Sequence, residues 1–215
     1  MKLRIASLLF LCLLLSAPAW ADYDNGLING TNDAWTINYG YVVSDTFVVY
    51  GGFQFYGFQL GVWEFPGDTL TSLDWSVTTQ ENGGTVLGSG TASGKNVIDK
   101  FVSSNQYGYN IDLISVTTQY INVNDGSTYW LNLQNASVAS GDPVYWDENS
   151  GPSQASESAL GTIPSEAFTA DIIIGCGVGG NSPDCEPPTP EPSSILLFSS
   201  GILGLAGVLR RKLKL

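Results

Sequence analysis

Any acid–base chemistry in this chain would have to run on carboxylates. The 215 residues include no histidine, which removes Ser-His-Asp and Cys-His catalysis, histidine general bases and histidine metal sites. Glycoside hydrolysis needs only two acids about 5–9.5 Å apart across a sugar. Glu64, Asp74, Glu81, Asp147 and Glu148 are candidates for such a pair. No spacing raises one pair above the rest, because an acid-rich domain brings carboxylates together by chance. A Ser–Lys mechanism would need Lys95 or Lys100, and both fall in a polar hairpin where a solvated lysine is the simpler reading. There is no P-loop, and the glycines punctuate turns. The expectation is a non-enzymatic protein with no catalytic residue.

Binding is the better prospect. The segment GDPVYWDENSG (141–151) gathers Asp142, Tyr145, Trp146, Asp147, Glu148 and Asn149 in one loop. An exposed tryptophan can stack on the C–H face of a sugar, with carboxylates and amides taking its hydroxyls. The same oxygens suit Ca²⁺, although no EF-hand or RTX repeat occurs and calcium is inferred from acidity alone. No other cofactor is expected. The plainer alternative places Trp146 in the core, with Asp147 and Asn149 satisfying turn amides. NGTNDAWTINYG (29–40) has similar content around Trp35 and the same two readings.

The elements that must position these residues read as strands. SLDWSVTTQ (72–80) alternates Leu73, Trp75 and Val77 against Ser72, Asp74 and Ser76. FQFYGFQLGVWEF (53–65), YNIDLISVTT (109–118), STYWLNLQ (127–134), NVIDKFVSS (96–104) and FTADIII (168–174) share a period of two or a β-branched and aromatic content. Turn chemistry separates them in FPGDTL, ENGGT, SGTASGKN, NDGST and ASGDP. No body segment carries apolar residues at helical spacing. The pattern predicts an all-β, antiparallel two-sheet sandwich, jelly-roll-like, with an immunoglobulin-like sandwich as the alternative. Residues 152–166 read as a low-complexity loop without a strand. Between residues 22 and 189 there are 19 acidic residues against Lys95 and Lys100, a net charge of −17. Such a surface repels nucleic acid, so no nucleic-acid partner is expected.

Both ends concern delivery. Lys2 and Arg4 precede the apolar run Ile5–Leu15, and Ala19-Trp20-Ala21 places small residues for signal-peptide cleavage after Ala21. Removal of residues 1–21 leaves two cysteines, Cys176 and Cys185, which in an oxidising compartment close a short disulfide loop. A β-sandwich domain over 22–180 is followed by a proline-rich linker, 181–192. The last segment, 193–215, contains the uncharged run Ile195–Leu209 and then Arg210, Arg211, Lys212 and Lys214. Fifteen residues make about 22 Å of helix, short against a hydrocarbon core of about 30 Å. The basic end holds that side in the cytoplasm. A plain tail anchor is one reading of this segment.

Pro190-Glu191-Pro192, an apolar helix and an arginine-rich end, in that order, resemble the PEP-CTERM sorting signal of exported proteins in Gram-negative bacteria. The resemblance covers 190–212. It implies an exosortase-type processing enzyme as partner and transient anchoring in the membrane by the C-terminal helix. It also implies a final place at the cell surface or in an exopolysaccharide matrix, linked to biofilm, with extracellular polysaccharide as a possible partner.

Overall fold

Alternating strands need a second sheet to cover their apolar faces, and the computed structural model, which describes residues 22–173, supplies it. The signal peptide with Ala19 and Ala21, the Cys176–Cys185 pair, the linker with Pro190, Glu191 and Pro192, the C-terminal helix and the basic end Arg210, Arg211 and Lys212 lie outside the described residues.

In chain order the strands are β1 (Tyr23–Asp24), β2 (Ala34–Thr36), β3 (Val42–Val48), β4 (Gln54–Glu64), β5 (Leu70–Gln80) and β6 (Gly83–Ser93). A 3₁₀ turn at Gly94–Asn96 leads to β7 (Val97–Ser104), β8 (Asn110–Asn122) and β9 (Thr128–Val138). The remainder are β10 (Tyr145–Asp147), β11 (Ala155–Glu157), β12 (Gly161–Ile163) and β13 (Phe168–Ile173).

They form two sheets, antiparallel throughout. One runs β12-β11-β3-β9-β5-β6. In the other, β7 pairs with β8 and β8 with β4. The far edge of β4 is shared: β13, which carries β1, takes its first half, and β10, which carries β2, takes Val62 and Trp63. The core fills the space between the sheets with Phe47, Phe55, Phe58, Leu60, Leu73, Val77, Ile114, Leu131, Leu133, Trp146 and Phe168.

All six segments with strand patterning form strands. Three sequence expectations need correction. Gly83–Thr85 of ENGGT and Ser89–Ser93 of SGTASGKN belong to β6, whose mostly exposed, glycine-rich residues pair with β5 along the backbone and show no alternation, while Glu81 and Asn82 form the expected turn. Residues 152–166 contain β11 and β12. Ala155, Ser156 and Glu157 are all buried, so no polar–apolar period marks β11. The 141–151 segment is not wholly loop, because Tyr145–Asp147 is inserted between β4 and β2.

Candidate functional site

The six residues gathered in 141–151 do not share one site: Glu148 and Asn149 line one cleft, Tyr145 and Asp142 line two others, and Trp146 and Asp147 are interior. Trp146 has no exposed surface. Its Nε1 donates to the Ala167 carbonyl at 3.1 Å, and its ring meets Phe168 edge-on at 5.5 Å. It belongs to the core and cannot stack on a sugar. Asp147 is equally buried and works as a clamp: its carboxylate accepts from Trp63 Nε1 at 2.6 Å, Asn29 N at 2.8 Å and Gly30 N at 3.0 Å. Burial raises its pKa, and these three donors oppose the rise. Asn149 donates from Nδ2 to the Asn25 carbonyl at 2.8 Å and accepts at Oδ1 from Gly151 N at 2.8 Å. These are the turn-amide roles of the plainer reading.

Glu148 is partly exposed and accepts from Trp35 Nε1 at 3.2 Å. Burial lifts its pKa against that hydrogen bond. Asp142 lies apart, at a shallow pocket with Asn38 and Tyr39, where its carbonyl accepts from Asn38 Nδ2 at 3.1 Å. Among the described residues no three acids, cysteines or histidines come together to hold a metal.

The aromatic surface lies on the other side of Trp63. In β4, Phe58, Leu60 and Val62 face the core, so Trp63 lies on the opposite face beside Asp147, where the neighbouring rings leave it only 5 % exposed. There the hairpin of β7 and β8 brings Tyr107 and Tyr109, β10 brings Tyr145, and the end of β4 brings Phe65. Tyr107 stacks on Trp63 with ring centres 5.8 Å apart and planes 21° off parallel. Tyr109 touches Trp63, Phe65 and Tyr145 at 5.7, 4.9 and 5.6 Å. Burial, followed by the contact with Tyr109, pushes the Tyr145 phenol up to about 12, so it stays a neutral hydroxyl donor. With Asn32, Asp33 and Ala34, the rings of Trp63, Tyr107, Tyr109 and Tyr145 line a groove of about 530 Å³. Tyr107 is 55 % exposed and forms its outer lip. Trp63 is held from behind by its hydrogen bond to Asp147.

A second, larger cleft of about 1070 Å³ shares Asn32 with the groove. Trp130, on the outward face of β9, lines it with Gln80, Glu81, Glu148 and Gln154. Of the five carboxylates considered for hydrolysis, only Glu81 and Glu148 reach this cleft. Glu64 and Asp147 are interior, and Asp74 is tied to Thr91 Oγ1 and to Asn135 Nδ2. Lys95 and Lys100 are both exposed.

The described part is thus an open two-sheet β protein with a cluster of packed aromatic rings on the outer face of one sheet. Its tail gives it a destination: residues 188–212 match the PEP-CTERM protein-sorting motif. The resemblance carried by Pro190-Glu191-Pro192 and the basic end therefore holds, and the chain carries the sorting tail of an exported protein processed by an exosortase-type enzyme. No curated protein matches the chain.

Proposed function

We propose that this chain is a non-enzymatic, exported surface or matrix protein that contacts extracellular polysaccharide through the Trp63–Tyr107–Tyr109–Tyr145 groove. The groove carries the reading. Aromatic faces are electron-rich, and the C–H bonds of a pyranose ring are weakly positive, so a sugar lies flat on a tyrosine or tryptophan without needing a charge. Asn32, Asp33 and Tyr145 line the same groove and offer polar groups for its hydroxyls. The strand order supports a jelly-roll reading: β1-β13-β4-β8 faces β3-β9-β5-β6, two interlocked Greek keys, with β7 added at one edge. Lectin domains use that architecture, which is support by analogy of fold alone. A sorting tail and a strongly anionic body suit residence in a hydrated matrix, with the biofilm link as the setting.

Binding of the mature chain to the exopolysaccharide of its source organism tests this. Tyr107→Ala, at an exposed lip, should weaken binding about tenfold or more, a loss of about 1.4 kcal/mol, with the melting temperature little changed. Equal affinity for both proteins would remove the groove from the proposal. The competing reading is a glycan-active enzyme, favoured only by Glu81 and Glu148 sharing the larger cleft. Release of reducing ends that disappears in Glu148→Gln would establish that reading instead.

A further inference from the structure

Sheets that do not close leave end strands with a row of N–H and C=O groups facing away from the sheet. Proteins guard such edges by keeping them short, bulged or charged. Among the described residues most end strands here are guarded in these ways. β12 and β2 run three residues each, and β1 runs two. β7 carries Asp99 and Lys100 and is irregular between Phe101 and Ser103. β6 is the exception. It runs eleven residues, Gly83–Ser93, pairs only with β5, and holds no charged residue and no proline. Its irregularities fall before Gly88, and Gly88–Ser93 keep an unbroken register with Ser72–Val77.

This stretch is small on both faces. Gly88, Gly90 and Ala92 lie opposite Val77, Trp75 and Leu73, on the core side. Ser89, Thr91 and Ser93 lie opposite Ser76, Asp74 and Ser72, on the outer side. Such a strand matches itself. Paired antiparallel about Gly90, Gly88 meets the partner's Ala92 and Ser89 meets the partner's Thr91, so core side continues as core side. Thr91 Oγ1 donates to Asp74 and its oxygen is left to accept from the partner's Ser89, a favourable cross-strand pair. Charge selects the same partner and the same direction. The body, at −17 over residues 22–189, repels a second copy over most of its surface. Residues 82–98 contain no acid, and the body's two cations, Lys95 and Lys100, both follow β6 and are exposed. The nearest acid before the strand is Glu81, and the first charge after it is Lys95. Antiparallel pairing brings these unlike ends side by side, whereas parallel pairing would set like beside like.

We propose that β6 is the contact surface of a two-fold dimer of this chain, in which the Gly88–Ser93 stretches of two copies pair antiparallel about Gly90 and join the two six-stranded sheets into one. The interface is isologous and closes on itself, so it makes dimers and not fibres. Main-chain hydrogen bonds supply the attraction, as in other strand additions, and the small side chains let the backbones approach. So few paired residues make a weak, reversible dimer. The contact is independent of the sugar groove, whose strands β2, β4 and β10 belong to the other sheet.

The test is sedimentation of the mature chain from about 1 to 300 µM, a range suited to a small interface, in a neutral detergent that shields its apolar tail, with hydrogen exchange read on the same samples. The mass should rise toward two chains, and the amides of Gly88–Ser93 should gain protection in step. Ser89→Lys and Ser89→Glu alter an exposed side chain and set like charges near each other across the two-fold axis. Each alone should weaken association about fivefold or more with the melting temperature unchanged, and an equimolar mixture of the two should restore it. Ser103→Lys, on the edge formed by β7, should leave the dimer intact. A wild-type chain that stays monomeric throughout would overturn the proposal. So would a dimer that survives both Ser89 variants, as one held by the tail would. Protection of these amides at the mass of a single chain would put some other strand on the edge and would overturn it too.

Discussion

Glu64 sits at the core-facing end of β4 with no exposed surface and no hydrogen-bond partner for either oxygen. Burial, reinforced by Asp99, Asp112 and Asp68, raises its pKa from 4.5 to about 8. Asp112 is raised to about 6 by burial and Asp99, and burial lifts Asp45 to about 7. The sign of the pH dependence follows by linkage. Below pH 4.5 Glu64 is protonated in both states. Between 4.5 and 8 the folded chain keeps a proton that the unfolded chain has released, so stability falls as pH rises through that window. The melting temperature should therefore climb from pH 8 down to pH 5. Glu64→Gln should melt higher than wild type at pH 8 and converge with it near pH 5. A wild-type protein that melts lower at pH 5 than at pH 8 would contradict this assignment. The sequence displayed all of these acids and ranked none, because their pKa values depend on which strand face turns inward.

At the scale of elements, face is decided by one irregularity. Strict alternation from Phe55 would put Phe58 on the opposite side, yet both are fully buried and lie 6.3 Å apart. The pairing of β4 with β8 shifts between Phe55 and Gly57, and this bulge reverses the parity of everything after it. Trp63 is thereby turned out onto the groove. Five of the six patterned strands were legible because each buries a face, and β7, which buries none, was marked by its β-branched and aromatic content alone. The bulge was not, and the aromatic groove was missed with it. What the sequence did offer was Gly57 in the middle of an aromatic strand. A β-carbon there would lie 2.6 Å from the Val116 carbonyl oxygen and 2.9 Å from Asp171 Oδ2. Gly57→Ala should cost about 1–3 kcal/mol in chemical denaturation, as overpacking does. Gly90→Ala, whose nearest atom would be the Trp75 ring at 3.4 Å, should be close to neutral. Equal costs would mean that the bulge relaxes freely.

For the molecule as a whole, the defining feature is the seam between its extremes. Tyr23 and Asp24 pair with Ala170 and Thr169, and Asn25 N donates to the Phe168 carbonyl at 2.9 Å. Removing residues 168–215 deletes the partner of β1 and exposes half of one edge of β4. Such a truncated chain should lose cooperative unfolding and the near-ultraviolet dichroism of a fixed aromatic core. A truncated protein that melts like the parent would show the seam to be dispensable. Contacts of this sequence separation also fold slowly. The consequence is one of timing: a polypeptide whose opening stretch must wait for its closing stretch stays threadable while it is being secreted, and locks only once nearly all of it has reached the far side.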